Sequence, residues 1–424
     1  MRVRSRILSG VSLISMLAAA GAVGPATAAD TLSGPAVFAP YVNAETDTVT
    51  IDQDATVDAD ATTNDSFFNN LSMSDAASIL TIDDSFLVGD IVNQGTMAST
   101  GDNGIDILND SQIDGGIFNT GLISGDVGIF IDDDSTVASG ILNTGSIVGA
   151  TTGILVGDDS EILGGITNTG GLIEGAIGIN VSDAQAELHG GITNNVASTI
   201  RGTTTAAIQF NGAVLTGGIT NSGLIDGTGV ANGINILGGT VTGGITNNAG
   251  GVIQVSGSSV TAVIVRDTTF NGSITNDGQI LAEGTSALGV IISGTTAFTG
   301  DITNSATGTI SGDLTALLLT NATFTGNVSN SGLIESADTD GVNISATTFV
   351  GNFTNAAGGI VTGGNDGVYL GGTTFTGNVV NSGTITGLSS TGLYFDMTTL
   401  TGDVTNNGVI AGPSGNGTST CAPG

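Results

Sequence analysis

The chain has 424 residues, of which 38 are acidic and five are basic, so its formal net charge is -33. Charged residues make up only 10% of the chain, whereas 39% are hydrophobic. This hydrophobic content argues against intrinsic disorder, which combines low hydrophobicity with high net charge. Only Arg201 and Arg266 follow the first six residues as basic side chains, so nucleic-acid binding, which needs a basic surface, is excluded.

Residues 1–28 have the features of a secretory signal peptide. Three arginines lie within the first six positions, an apolar stretch follows to residue 23, and Ala26, Thr27 and Ala28 fit the small-residue cleavage rule. No later apolar run is long enough to predict a transmembrane helix. We therefore expect an exported protein, located at the cell surface or outer membrane or released outside the cell.

Two segments flank the main part of the chain. Residues 29–88 are rich in threonine and aspartate and lack the repeat that follows, so they predict an irregular, β-rich N-terminal cap. Residues 412–424 predict a flexible tail. The single cysteine, Cys421, lies in this tail, which excludes an intrachain disulfide and a metal cluster built from cysteines.

A repeat of about 26 residues with the pattern G-x-[IVF]-x-N occupies residues 89–411. Apolar residues stand two and six positions before the asparagine in every repeat, and the residue four positions before it is glycine in all repeats but one, where it is Ser139. Apolar side chains at even offsets predict strands with one buried face. The thirteen asparagines are Asn93, Asn119, Asn143, Asn168, Asn194, Asn221, Asn247, Asn276, Asn304, Asn330, Asn355, Asn381 and Asn406.

Three short strands and three turns fit each repeat, and no helical periodicity is present. This pattern predicts an all-β fold, a parallel β-helix (solenoid) of about 13 coils with three short strands per coil. Leucine-rich repeats need a different leucine pattern, and propeller blades are longer, at about 40–50 residues. We expect the asparagines to stack as a structural, hydrogen-bonded ladder without a catalytic role, through Asn119, Asn143, Asn168, Asn194, Asn221 and Asn247.

The acidic residues are concentrated in the first half of the chain, where 26 of the 38 precede residue 191. One acidic residue recurs nine positions before the asparagine in four repeats, as Asp84, Asp110, Asp134 and Asp159. Stacked coils would hold these carboxylates about 5 Å apart, and a divalent cation would relieve their repulsion. The hypothesis is a Ca²⁺ site along this row, and the alternative is a solvated acidic stripe with no cofactor.

Enzymatic function is not expected. Some parallel β-helices act on polysaccharides, but they use paired carboxylates or a basic catalyst and usually aromatic platforms. This chain has no tryptophan and only three tyrosines, Tyr41, Tyr369 and Tyr394. Its one histidine, His189, has no serine or cysteine partner in a recognisable motif and is interpreted as an exposed strand residue. Because carboxylate pairs are numerous, a polysaccharide-acting enzyme stays a minor alternative.

The repeats between Gly89 and Asn406, together with the signal peptide, the acidic composition and the single cysteine, resemble the passenger region of bacterial autotransporter adhesins. The resemblance implies a right-handed β-helix and an adhesin-like, non-enzymatic interaction module that is secreted or held at the outer membrane. Its partner would be a glycan or protein of a host or bacterial surface. Family members normally end in a membrane β-barrel, which the residues after Asn406 are too few to form.

Two further functions fit the repetitive pattern. A self-assembling structural or surface-layer protein would use the same fold to polymerise, so self-association is a possible partner interaction. The residue before the asparagine is threonine in eight repeats, including Thr193, Thr220 and Thr246. That outward row suits a glycan, a partner protein or ice, and it also suits a plain strand.

Overall fold

The computed structural model describes residues 56–57, 67–69, 72–75, 78–83, 86–87, 89–413 and 418–420. The predicted signal peptide, Asp84 and Cys421 lie outside these residues. The chain divides into two compact units, unit 1 up to Gly190 and unit 2 from Gly191. Within the described residues the regular elements are β-strands, and no helix has the length and apolar character needed to cross a membrane.

Unit 1 contains eighteen described strands, most of them two to four residues long. In chain order they are β1 Thr56–Val57, β2 Phe67–Asn69, β3 Ser72–Asp75, β4 Leu80–Asp83, β5 Phe86–Leu87, β6 Ile91–Asn93, β7 Thr96–Ser99, β8 Ile105–Leu108, β9 Gln112–Ile113, β10 Ile117–Asn119, β11 Leu122–Ile131, β12 Thr136–Val137, β13 Ile141–Asn143, β14 Ser146–Val156, β15 Glu161–Ile162, β16 Ile166–Asn168, β17 Leu172–Ser182 and β18 Glu187–Leu188.

Unit 2 continues the same succession of short strands. They are β19 Ile192–Asn194, β20 Thr199–Asn211, β21 Val214–Thr216, β22 Ile219–Asn221, β23 Leu224–Gly227, β24 Asn232–Leu237, β25 Thr240–Thr242, β26 Ile245–Asn247, β27 Val252–Ser256, β28 Thr261–Arg266, β29 Thr269–Asn271, β30 Ile274–Asn276, β31 Gln279–Glu283, β32 Leu288–Ser293, β33 Ala297–Thr299, β34 Ile302–Asn304, β35 Thr309–Gly312, β36 Thr315–Leu319, β37 Thr323–Thr325, β38 Val328–Asn330, β39 Leu333–Ser336, β40 Val342–Ile344, β41 Thr348–Val350, β42 Phe353–Asn355, β43 Ile360–Gly363, β44 Val368–Leu370, β45 Thr374–Thr376, β46 Val379–Asn381, β47 Thr384–Gly387, β48 Leu393–Phe395, β49 Thr399–Thr401, β50 Val404–Asn406, β51 Val409–Ala411 and β52 Thr418–Thr420.

Each unit is a stretch of parallel β-solenoid with three sheets. In each coil the chain runs twice through sheet A, then through sheet B, then through sheet C, whose strand carries the repeat asparagine. In β11, β14, β17 and β20 the two passes through sheet A join into one long strand. Strands of successive coils pair in parallel, for example β10 with β13 through Ile117 opposite Ile141. The predicted fold class, an all-β parallel solenoid with a repeat of about 26 residues, is confirmed.

The interior is built from the apolar columns of the repeat. On sheet C of unit 1, Ile117 and Ile141 are at most 2% exposed, and the residue between each column member and its asparagine faces outward. Burying one such side chain stabilises the fold by roughly 1.5–3 kcal/mol. Because an isolated strand of two or three residues is not stable in water, this burial depends on the coil above and the coil below.

The interior column of sheet B differs in size between the units. In unit 1 it consists of aliphatic residues such as Val137 and Ile162, both fully buried. In unit 2 it includes five phenylalanines whose rings stack at centroid distances of 4.5 to 5.0 Å. The stacked rings are Phe270, Phe298, Phe324, Phe349 and Phe375.

The glycine four positions before the asparagine has a steric cause. At Gly326 φ is +145°, and a Cβ built there would lie 1.9 Å from the carbonyl oxygen of Gly300, one coil away. A side chain at this position would collide with backbone, which cannot move aside, so the close stacking of the turns requires glycine.

Strand pairing extends on both sides of the repeat region. β2 pairs with β6 and places Asn69 opposite Asn93, although Asp65 stands where the repeat has glycine. Within the predicted cap, residues 29–88, β2 therefore takes the register of the sheet C strands, with Phe67 opposite Ile91. In the predicted flexible tail, β52 pairs with β48, since Thr418 follows Leu393 by one coil length.

Candidate functional site

The repeat asparagines form a hydrogen-bonded ladder inside each unit. In unit 1 the Nδ2 atom of Asn119 donates to Oδ1 of Asn143 at 2.8 Å, and Asn143 donates to Asn168 at 2.9 Å. In unit 2 the equivalent bonds, from Asn194 to Asn221 and from Asn221 to Asn247, are both 2.8 Å. These side chains are buried, and the same amides also donate to backbone carbonyls. The amides therefore link successive coils within each unit.

The acidic row lies in unit 1, in the turns that connect sheet A to sheet B. These turns follow β8, β11, β14 and β17 and contain residues with positive φ, including Asp110 at +59°, Asp134 at +60° and Asp159 at +59°. Asparagine and aspartate adopt this left-handed region more readily than other residues with a side chain. The position of the carboxylates is therefore set first by the backbone geometry of the turn.

The stacked turns bring the predicted row together. Asp110, Asp134 and Asp159 line one depression of about 480 Å³, while Asp84 lies outside the described residues. Three further carboxylates and two amides line the same depression. The full lining is Asn109, Asp110, Asp133, Asp134, Asp158, Asp159, Asp183 and Gln185.

The tightest group of carboxylates lies beside the predicted row. Asp132, Asp133 and Asp158 each offer a carboxylate oxygen within 4.8 Å of the others. Burial raises the pKa of Asp132 to about 6, and the charges of Asp158 and Asp133 add to this rise. The pKa of Asp134 is also raised, first by burial and then by Asp159 and Asp110. The carboxylates therefore repel one another.

Amide donors offset part of this repulsion. The Nδ2 atom of Asn109 donates to Oδ1 of Asp83 at 2.6 Å, and Gln185 donates to Asp159. The clustered carboxylates of Asp132, Asp133 and Asp158 supply oxygen ligands of the kind that Ca²⁺ accepts, though fewer than the six to eight that it takes. Water and turn carbonyls would have to complete such a site.

A second group of polar and aromatic residues lies on sheet A of unit 2. Tyr369 of β44 pairs in register with Tyr394 of β48, and their ring centroids are 5.5 Å apart with a 44° angle between the planes. The Tyr369 hydroxyl donates to Oδ2 of Asp396 at 2.7 Å. Burial and this hydrogen bond raise the pKa of Tyr369. We call Tyr369, Tyr394 and Asp396 the tyrosine platform.

The Tyr369 ring of the tyrosine platform lies over a glycine, Gly371. A Cβ added at Gly371 would stand 2.5 Å from Cε1 of the Tyr369 ring, so the ring extends across this position and rests against backbone. The sequence predicts that Tyr369 lies beside Tyr394, because the two residues are separated by one coil length. It does not predict that the Tyr369 ring lies over Gly371.

Two buried carboxyl groups stand in the turns next to the platform. Asp340 is 7% exposed and Asp366 is 4% exposed. Asp340 accepts from Asn343 at 2.8 Å, and Asn343 is the strand neighbour of Tyr369. Asp366 accepts from both the backbone N–H and the hydroxyl of Thr391. Burial raises the pKa of Asp340, which places a carboxyl group of shifted acidity beside an aromatic surface.

Searches against protein-family models, curated proteins and solved structures return no match for this chain.

Proposed function

We propose that this chain is an exported, non-enzymatic β-solenoid that acts at the cell surface or outside the cell as an adhesin-like module for binding glycans. The tyrosine platform is the observation that carries this proposal. The signal-peptide features of residues 1–28 and the resemblance to autotransporter passenger regions support export and surface display.

The platform has the chemistry that sugars need. Tyrosine rings offer an apolar face for the C–H groups of a pyranose and a polar edge for its hydroxyls. Asp396 and Asn343 place hydrogen-bonding groups at or beside the rings. Because Tyr369 is held by Asp396 and rests against Gly371, little side-chain entropy would be lost when a sugar binds.

The proposal is tested with the purified full chain on an array of bacterial and host surface glycans. We expect a restricted set of glycans to bind, with the affinity lost in the double variant Tyr369→Ala and Tyr394→Ala. Tyr369→Phe keeps the ring and should retain most of the binding. Equal binding by the double variant and the unmodified chain would show that the platform is not the site.

Two other functions give different results in the same experiment. A polysaccharide-acting enzyme, favoured by the raised pKa of Asp340, would release new reducing ends or unsaturated products from a bound polymer, and Asp340→Asn would stop their release. A self-assembling structural protein would appear in light scattering as polymers that grow with protein or Ca²⁺ concentration. The adhesin proposal expects neither result.

A further inference from the structure

The only histidine of the chain lies beside two glutamates on the outer face of sheet B in unit 1. Glu161 of β15 pairs in register with Glu187 of β18, one coil away. Leu188 is fully buried, so Glu187 and His189 on either side of it point outward together. The backbone N–H of His189 donates to the carbonyl of Ile162 at 2.9 Å, which fixes the position of the histidine.

The three side chains converge on one point. The Nε2 atom of His189 lies 2.7 Å from Oε2 of Glu187 and 3.5 Å from Oε2 of Glu161. One ligand atom from each residue lies within 4.8 Å of the other two. Each side chain is about one-third exposed, so an ion can reach the group from solvent.

We propose that Glu161, Glu187 and His189 form a binding site for a divalent transition-metal ion, with Zn²⁺ as the ion that fits best. Zn²⁺ accepts imidazole nitrogen and carboxylate oxygen at about 2.0–2.2 Å. In a tetrahedral site these bond lengths place neighbouring ligand atoms about 3.4 Å apart. The distance from His189 to Glu161 already has this value, and the distance to Glu187 needs to open by less than 1 Å.

The ligand atoms of this site favour a different metal ion from those of the acidic row. Ca²⁺ takes six to eight oxygen ligands, whereas an imidazole nitrogen with two carboxylates suits Zn²⁺ and related ions. Two carboxylates also balance the charge of a divalent ion. Three protein ligands leave a fourth position open to water or to an external ligand, as in zinc sites that are not purely structural.

One neighbouring residue already orients a ligand. The hydroxyl of Thr136 donates to Oε1 of Glu161 at 3.1 Å, so the other oxygen of this carboxylate faces His189. Such outer contacts hold metal ligands in place and typically change metal affinity 10- to 100-fold when they are removed. Thr136, Glu161 and Glu187 belong to three successive strands of sheet B, β12, β15 and β18, and His189 directly follows β18.

The test is calorimetric titration of the full chain with Zn²⁺, after treatment with a chelator and in excess Ca²⁺ to occupy the acidic turns. We expect one Zn²⁺ per chain at the high-affinity step. Co²⁺ used as a probe should give the visible absorption of a four-coordinate ion, and Zn²⁺ should displace it. Zn²⁺ should also raise the melting temperature.

Variants assign the site. His189→Gln should abolish the high-affinity step and the Co²⁺ absorption, and Glu187→Gln should weaken Zn²⁺ binding at least tenfold. Glu335→Gln, which removes an exposed strand carboxylate of unit 2, is the matched control and should bind Zn²⁺ unchanged. Circular dichroism checks that each variant is folded. A high-affinity step that survives in His189→Gln, or the lack of any such step in the unmodified chain, would overturn the proposal.

Discussion

The turn between sheet A and sheet B is formed differently in the two units. In unit 1 the residue two positions before the sheet B strand is acidic and left-handed at Asp110, Asp134 and Asp159, and it is Gln185 before β18. In unit 2 the same position is glycine in three of the eight described turns, with φ of +81° at Gly212, +70° at Gly238 and +83° at Gly372, and it is acidic with positive φ only at Asp267. Both solutions meet the same backbone requirement.

This difference shows that the fold does not require a negative charge in the turn. Glycine forms the left-handed turn without a side chain, so the turn does not need a carboxylate. The acidic turns of unit 1 instead carry a cost, which is visible in the raised pKa of Asp132. The interior of sheet B shows the opposite contrast, because unit 2 places large aromatic rings where unit 1 has aliphatic side chains.

The largest effect is expected from the phenylalanine stack of unit 2. Phe324 is fully buried and stacks on Phe298 at 4.8 Å and on Phe349 at 5.0 Å. Phe324→Ala should lower the free energy of unfolding by about 3–5 kcal/mol, because it leaves a cavity in a rigid column. Urea denaturation measures this loss, and hydrogen exchange should show it in peptides of unit 2.

Phe324→Leu is the control for this prediction. It keeps most of the buried volume and removes the ring contacts, so we expect a loss of about 1–1.5 kcal/mol. If the alanine variant lost no more than the leucine variant, the coils would be able to collapse around the gap. The stack would then not be the rigid element that distinguishes unit 2.

The asparagine ladder should respond alike in both units. Asn143 in unit 1 and Asn276 in unit 2 each donate to the next asparagine and accept from the previous one. Replacing either by alanine removes buried hydrogen bonds to both neighbouring asparagines and to backbone carbonyls, at a cost of about 2–3 kcal/mol. Urea denaturation of the two variants side by side measures this cost. A loss well below 1 kcal/mol in one unit would mean that water takes the place of the missing amide there.

The sequence predicted the repeat architecture because strand parity and coil length are visible in one dimension. The coil length also places Glu161 beside Glu187 and Tyr369 beside Tyr394. Glu187 is also a near neighbour of His189 in the sequence, whereas Glu161 reaches the pair only because a solenoid brings together residues one coil apart. The raised pKa of Asp132 and the position of the Tyr369 ring depend on burial and side-chain direction, which the repeat pattern does not contain.

A smaller effect is expected from divalent cations, and only in unit 1. Ca²⁺ at about ten times its dissociation constant would stabilise the folded chain by about 1.4 kcal/mol if it bound the acidic turns. We expect Ca²⁺ to raise the urea midpoint more than NaCl of the same ionic strength. The double variant Asp133→Asn and Asp158→Asn should lose this increment, and Asp277→Asn in unit 2 should keep it. Equal urea midpoints in the Ca²⁺ and NaCl solutions would show that the acidic row is a solvated stripe that binds no Ca²⁺.

The smallest effect is the pH dependence that Asp132 confers. Its pKa of about 6 in the folded chain lies above the value near 3.9 of an unfolded aspartate. Between these values the folded chain binds more protons, so stability falls as the pH rises and the full loss is reached above pH 6. Asp132→Asn removes this loss. The variant should exceed the unmodified chain by roughly 1 kcal/mol at pH 8, after allowance for solvent screening, and match it below pH 4. Urea denaturation across this pH range measures the difference in stability between the variant and the unmodified chain, with Asp277→Asn as the single-charge control. A difference that stays constant with pH would show that Asp132 is solvated and does not interact with its acidic neighbours.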